Sequence, residues 1–368
     1  MHAERIRKVR DAMSEHGIDV LLLSVGADLP WLIGYEAMPL ERLTMLVVPV
    51  DGDATLVVPR LEAPRVRERP ELFSVHAWDE TDDPIDLVVR LAGPVRVAAI
   101  GNRTWSQFLV ELLARMPGTW FRAASEILGP LRARKDPDEV EALTTAAAAV
   151  DRVVAALHSG EIPLAGRSEV QVAADLGQRM LAEGHHRVNF VIVASGPNAA
   201  SPHHEPSDRV IQQGDVVLFD FGGSVLTESG VGYCSDITRC VFMGEPPSEF
   251  RELYEVVHAA QQAAISAAKN GTPCEAVDAA ARDLITAAGY GPYFIHRTGH
   301  GIGVEEHEDP YIVAGNQSRL EVGHAFSIEP GIYIPGRWGA RLEDIVVVTD
   351  SGPRSLNAAE HRLVIVDA

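Results

Sequence analysis

The sequence predicts two domains: an α/β N-terminal domain over residues 1–130, then an α+β C-terminal domain over 131–368 with pseudo-two-fold symmetry. Three observations predict this. At 368 residues the chain is long for a single hydrophobic core. Short apolar runs alternate with amphipathic stretches up to residue 130, the pattern of a sheet flanked by helices. Beyond it, two blocks each read as two helices followed by strands, a repeat of pattern without identity.

Residues 1–16 form an amphipathic helix closed by Gly17, and IDVLLLS follows as a buried strand. LTMLVVPVDGDATLVVPR reads as a hairpin turning through Asp51-Gly52-Asp53. VRVAAIG at 95–101 is a further strand and SQFLVELLARM at 106–116 a further helix. The second domain opens at LRARKDPDEVEAL, where Asp136 caps, Pro137 takes the first helical position and Glu139 completes a capping box. Helices are expected near 137–158, 168–183, 248–269 and 273–287. The strands are VNFVIVAS, VVLFDFG, GYCSDITRCVFM, HAFSIEPGIYI and ARLEDIVVVT.

Composition narrows the function. Apolar content of 46% with 23% charged residues is that of a globular chain, and no run reaches the roughly 18 apolar residues a membrane span needs. MHAERIRKVRDAMSEHG lacks the layout of a signal peptide. Three cysteines without a CxxC spacing suit a reducing, cytoplasmic home. A formal charge of −20 argues against nucleic acid as a partner.

Five side chains carry chemistry: Asp220 and Asp236 in DFGGSVLTESGVGYCSDITR, His300 in HRTGHGIGVEEHEDP, Glu329 in FSIEPGIY and Glu343 in GARLEDIVVV. Each carboxylate lies on or beside an apolar run, where an unpartnered charge is very costly, so the set must pair, protonate or bind metal. Asp220 and Asp236 flank a glycine-rich turn, and strands paired as a hairpin bring opposed residues to roughly 4.5–5.5 Å. Glu329 and Glu343 flank PGIYIPGRWGA in the same manner. His300 sits between Gly299 and Gly301, where missing side chains allow a ligand or substrate close to the backbone. Singly, each has a plainer reading: a turn Asp, a loop cap, or a glutamate paired with Arg239 or Arg341. Together they point to two divalent cations, Mn²⁺, Co²⁺, Fe²⁺ or Zn²⁺, about 3.5–4 Å apart for metal-assisted amide hydrolysis.

The motifs DFGG…GYCSDITR, HRTGHGIGVEEHE, SIEPGIY and GARLED, with PNAASPHHEPSDRVIQQGDVVLFDFG upstream, resemble the pita-bread metallopeptidases. The nearest branch is that of Xaa-Pro dipeptidase (prolidase) and aminopeptidase P, because a smaller creatinase-like N-terminal domain precedes the catalytic half. The resemblance implies that Asp220 binds one metal, His300 with Glu329 the other, and that Asp236 and Glu343 bridge them. It implies Glu329 as general base, His307 on the scissile carbonyl or oxyanion, and His203, in preference to its neighbour His204, on the proline side. His296 is expected to line the pocket. A dipeptidase also needs a cation for the substrate's free carboxylate, with Arg337 and Arg297 as candidates. The implied activity is hydrolysis of the Xaa-Pro bond of dipeptides or short peptides, with an Xaa-Pro aminopeptidase as the alternative. A metal-free creatinase-like hydrolase and a silent peptide-binding module both fit poorly with an intact ligand set. The resemblance also implies a homodimer, in which Trp31 or Tyr35 either reaches the partner's cleft or belongs to the core.

Two departures stand out. The Asp220–Asp236 stretch is several residues long, with TESGV as extra material. It is harmless if looped out, but a one-residue slip would turn Asp236 away. Cys240 stands where the family commonly has a hydroxyl.

Overall fold

The computed structural model describes residues 1–366. They divide into two compact units, Met1–Arg132 with Glu228–Val231, and Ala133–Thr227 with the chain from Gly232 onward.

The first unit runs α1 (His2–His16), β1 (Val20–Leu23), α2 (Asp28–Ile33), β2 (Met45–Pro49), β3 (Ala54–Pro59), β4 (Phe73–Trp78), α3 (Pro84–Ala92), β5 (Val97–Ile100), α4 (Ser106–Arg115), β6 (Trp120–Ala123) and α5 (Ser125–Ala133). Its strands form one mixed sheet ordered β4-β3-β2-β1-β5-β6. Helix α1 stops where Gly17 takes a left-handed φ of 65° and returns its N–H to the Met13 and Ser14 carbonyls. β2 and β3 pair antiparallel across the expected turn. Trp31 and Tyr35 are 3% and 6% exposed, and Arg5 lies over the Trp31 ring. Both aromatics are core residues here, which removes them from the role of reaching into a partner's cleft.

The second unit runs α6 (Pro137–His158), α7 (Glu169–Ala182), β7 (Arg187–Ser195), β8 (Val216–Leu226), β9 (Gly232–Cys234), β10 (Ile237–Met243), α8 (Ser248–Ala267) and α9 (Cys274–Ala287). It continues β11 (Gly299–Gly301), β12 (Glu308–Ile312), β13 (Ala325–Ile328), β14 (Gly331–Ile334), β15 (Trp338–Arg341), β16 (Asp344–Thr349), β17 (Gly352–Ser355) and β18 (Val364–Val366). Helix α6 starts on the predicted capping box, the Asp136 and Glu139 carboxylates each accepting the other's backbone N–H at 2.9 Å.

There are two five-stranded sheets, β18-β10-β8-β7 with β9 beside β8, and β12-β11-β13-β16-β17, plus the separate pair β14-β15. An antiparallel bridge between Thr238 and Glu343 ties the two halves. The strands differ from expectation in one instructive way. Three stretches that read as continuous strands are broken, at Ser235-Asp236, Glu329-Pro330 and Leu342-Glu343. Pro330 has no N–H to give a ladder, so the chain leaves one sheet there and pairs in another. Candidate ligands sit at all three breaks.

Packing fixes which way β8 faces. Val217, Phe219 and Phe221 pack with Leu157, Leu176 and Met180 of α6 and α7. Val216 and Leu218 pack with the cluster of Phe250, Val257 and Phe326 on the other side. The two-residue period places Asp220 on that second face. The long hairpin leaves the register undisturbed: Ser224 opposite Cys234 continues the alignment of Phe221 opposite Ile237. TESGV is the loop between β8 and β9, and Ser229 in it accepts a hydrogen bond from Arg69 at 3.1 Å.

Candidate active site

Asp220 lies within β8 opposite Thr238, Asp236 just before β10, His300 in the middle of β11, Glu329 just after β13 and Glu343 just before β16. Ligand-capable atoms of Asp236, His300 and Glu343 all fall within 4.8 Å of one another. His300 Nε2 is 3.3 Å from Glu329 Oε1 and 3.7 Å from Asp236 Oδ2. The charge of Asp220 acts on Asp236, Glu329 and Glu343 alike. Four of the five side chains meet by distance, and Asp220 lies close enough for its charge to raise the pKa of Asp236, Glu329 and Glu343.

His300 is oriented by its other nitrogen. Nδ1 lies 3.1 Å from the Gly301 carbonyl, which can only accept, so the proton sits on Nδ1 and Nε2 turns a lone pair toward the carboxylates. Burial, helped by His307, lowers its pKa to about 3, which keeps the ring neutral and able to ligate. The flanking glycines serve packing, contrary to expectation. A Cβ on Gly299 would stand 1.8 Å from the Ser327 carbonyl oxygen, and one on Gly301 2.1 Å from that of Asp309. These glycines admit neighbouring strands, whereas substrate approach was the sequence reading.

The cluster is short of positive charge. Burial first, then the neighbouring carboxylates, raises Asp236 and Glu343 well above the usual range. Burial also lifts Glu329 to about 7, against the opposing charge of Arg341. Arg341 is buried and donates to Asp220 Oδ2 at 2.5 Å, Thr238 Oγ1 at 3.0 Å and the Tyr333 hydroxyl at 2.7 Å. Thr238 in turn donates to Glu343 Oε2 at 2.7 Å. Arg239 is held by Asp344 at 2.8 Å, so neither arginine hydrogen-bonds Glu329 or Glu343 through its carboxylate. Asp220 Oδ1 and Asp236 Oδ1 are buried without a hydrogen-bond partner among the described residues. Orphaned carboxylate oxygens, raised pKa values and an inward imidazole lone pair all fit divalent cations.

Around this centre the other expected residues separate. His307 is exposed, with its ring centroid 3.9 Å from that of His300. Arg297 Nη2 is 3.2 Å from His307 Nδ1, and a guanidinium only donates. The His307 proton is therefore on Nε2, free to be given to a substrate oxygen. Partial desolvation of the ring where it packs against its neighbours, then the charge of Arg297, lowers its pKa and favours the neutral form. His203 is exposed, whereas His204 is bound to Glu169 at 2.8 Å, which distinguishes the two neighbours. His296 has both nitrogens engaged, Nδ1 with the Arg297 carbonyl at 2.7 Å and Nε2 with the Tyr333 hydroxyl at 2.8 Å. Only its ring face is left for a ligand. Arg337 is exposed, ion-paired with Glu249 and stacked on Trp338.

Four contributors escaped sequence reasoning: Thr238, Tyr333, Ser327 and Glu169. Thr238 was findable, because it stands two residues from Asp236 on the same strand face. Ser327 bonds Glu329 Oε1 at 3.2 Å and accepts from the His300 N–H at 3.1 Å. Tyr333 and Glu169 act across long separations, and nothing local signals them.

Residues 141–350 match metallopeptidase family M24, and residues 5–134 the Creatinase/Prolidase N-terminal domain. The probable dipeptidase PepE of Mycobacterium tuberculosis is 45% identical over 369 residues, covering 100% of this chain and 97% of the relative. The Xaa-Pro dipeptidase of Lactobacillus helveticus is 36% identical over 374 residues, with 98% of each covered. The crystal structure of a prolidase from Thermococcus sibiricus superposes with a TM-score of 0.93 at 36% identity, covering 100% of this chain and 99% of that one. The C-terminal unit has the pita-bread fold, and the family implies divalent metal ions, for which the buried cluster supplies the donors. The chain belongs to metallopeptidase family M24, with a Creatinase/Prolidase N-terminal domain ahead of the catalytic half.

Proposed function

We propose that this chain is a dinuclear Xaa-Pro dipeptidase, with Mn²⁺ as the native metal. The observation that carries the reading is the buried set of four carboxylates served by one guanidinium, with an imidazole lone pair turned into it. Asp220, Asp236, His300, Glu329 and Glu343 would hold two ions, with Asp236 and Glu343 shared. Bound ions would supply Lewis acidity toward the scissile carbonyl and acidify water to near neutrality. Oxygen donors with a single imidazole suit Mn²⁺ over thiophilic metals.

The protein's own groups provide the rest. Glu329, whose Oε1 lies 3.3 Å from His300 Nε2 beside the place the ions would take, accepts the proton of the attacking water. His307 donates from Nε2 to the carbonyl oxygen as it gains charge. His203, exposed on the loop after β7, faces the residue beyond the scissile bond. A proline there removes the N–H that general proteases use and restricts its neighbour, so a dedicated pocket makes chemical sense. The names of the relatives support the dipeptidase form over an Xaa-Pro aminopeptidase. Three free, buried cysteines support a cytoplasmic setting, and the homodimer rests on the family resemblance.

The test is hydrolysis by Mn²⁺-loaded protein of Ala-Pro beside Ala-Pro-Ala, with chelated protein as control. Cleavage of the dipeptide alone is expected. Preference for the tripeptide would make the enzyme an aminopeptidase, and no metal-dependent cleavage of either would sink the reading.

A further inference from the structure

We infer that Arg297 binds the free carboxylate of the substrate and thereby restricts the enzyme to dipeptides, an assignment that rests on the dipeptidase reading above. In a dipeptide the carboxylate carbon is three bonds from the scissile carbonyl carbon, which limits their separation to roughly 3–4 Å. Whatever binds the carboxylate must therefore stand beside the group that binds the scissile carbonyl. Arg297 does so: its Nη2 is 3.2 Å from His307 Nδ1, and the His307 ring centroid is 3.9 Å from that of the candidate ligand His300.

The state of the guanidinium points the same way. A guanidinium has five N–H donors, and Arg297 directs one contact, to His307, while its face lies 4.5 Å from the Tyr311 ring centroid. It is half-buried and has no carboxylate partner among the described residues. The neighbouring arginines differ. Arg341 is held by Asp220, Arg239 by Asp344 and Arg282 by Asp278. Arg337, the other candidate, is paired with Glu249 at an exposed position. A partly desolvated cation lacking an anion in its own protein is what a carboxylate-binding position requires.

Its backbone is fixed on both sides. The Arg297 carbonyl accepts from His296 Nδ1 at 2.7 Å, and Thr298 donates to Asp278 through its N–H at 3.2 Å and its hydroxyl at 2.8 Å. Little ordering then remains to be done when an anion arrives. A longer peptide offers Arg297 a neutral amide where the dipeptide offers a charge.

The experiment compares kcat/KM of Mn²⁺-loaded protein for Ala-Pro and Ala-Pro amide, in the wild type, Arg297→Met and Arg297→Lys. The wild type is expected to favour the free acid by roughly 10- to 100-fold, the range of a charge-assisted pair. In Arg297→Met that ratio should fall to about one through a rise in KM for the acid, with Arg297→Lys between the two. Thermal unfolding with free proline against prolinamide repeats the comparison without turnover. A wild type indifferent to the amide, or a ratio retained in Arg297→Met, overturns the assignment. A loss in Arg297→Met shared equally by acid and amide also overturns it, leaving only support of His307. Ala-Leu and its amide run in parallel: cleavage there and not at Ala-Pro removes the proline reading alone, and the ratio is then read on that pair.

Discussion

Two buried acidic sites in the second unit make opposite use of the same functional group. Glu169, in the first turn of α7, is fully buried in its side chain and surrounded by donors. It accepts from the Ser195 N–H and hydroxyl, both at 2.7 Å, from the Ser207 N–H and hydroxyl at 3.0 and 2.7 Å, and from Asn198 and His204. Burial pushes its pKa up, but the bonds from Ser207, His204 and Ser195 outweigh that and bring it to about 2. Asp236 and Glu343 have little such compensation and are pushed upward. One carboxylate is complete within the fold and pins the loop carrying His203. The others are incomplete, and the missing charge is the ligand's.

The largest effect distinguishing these sites should come from the chemistry. Glu329→Gln keeps size and a metal-capable oxygen but cannot accept the water's proton, so kcat should fall by roughly 10²–10⁴. Steady-state assays at fixed Mn²⁺ check it, and a variant within tenfold of wild type would remove Glu329 as the base. Next comes Glu169→Ala, which strands buried donors of Ser195, Ser207 and Asn198 and should cost about 2–4 kcal/mol of stability in urea unfolding. Asp236→Asn is expected to behave differently. It should abolish activity while leaving the metal-free protein, at pH 8, as stable as wild type or more stable by about 1 kcal/mol, because it relieves like-charge repulsion. A loss matching that of Glu169→Ala would mean that Asp236 is a structural acid.

How much of this was legible in the sequence follows from the range of each signal. The capping box at Asp136 and Glu139, the Gly17 stop and the β2-β3 turn depend on neighbours within a few residues, and they were read correctly. The five cluster residues were legible because charged side chains in apolar runs need a reason. The strand breaks beside Asp236, Glu329 and Glu343 were not, since each stretch alternates well enough to pass for one strand. What cuts them is pairing with different sheets, a long-range matter. Glycine beside His300 carried the right signal, close approach, and the wrong partner, a neighbouring strand. Glu169 reads as an ordinary acidic residue in a first helical turn, yet its donors come from 26 to 38 residues away.

The smallest effect is the pH dependence of stability, where the two sites should slope in opposite directions. Glu169 has a folded pKa near 2 against an ordinary 4.5, so its stabilisation is complete above 4.5 and is lost as pH falls toward 2. Glu329 has a folded value near 7 in the metal-free protein, so its contribution is present below 4.5 and is lost as pH rises through 7. Several buried histidines also titrate across this range, among them His2 and His324, both lowered to about 4 chiefly by burial. The comparison must therefore be made as differences between wild type and a single variant. In chelator, the stability of wild type relative to Glu329→Gln should decline between pH 4.5 and 7.5, and that relative to Glu169→Gln should decline only below 4.5. Saturating Mn²⁺ should flatten the first difference and leave the second untouched, because the cation supplies the charge that Glu329 lacks and Glu169 already has its donors. If Mn²⁺ altered both differences equally, the division into a finished and an unfinished acidic site would be wrong.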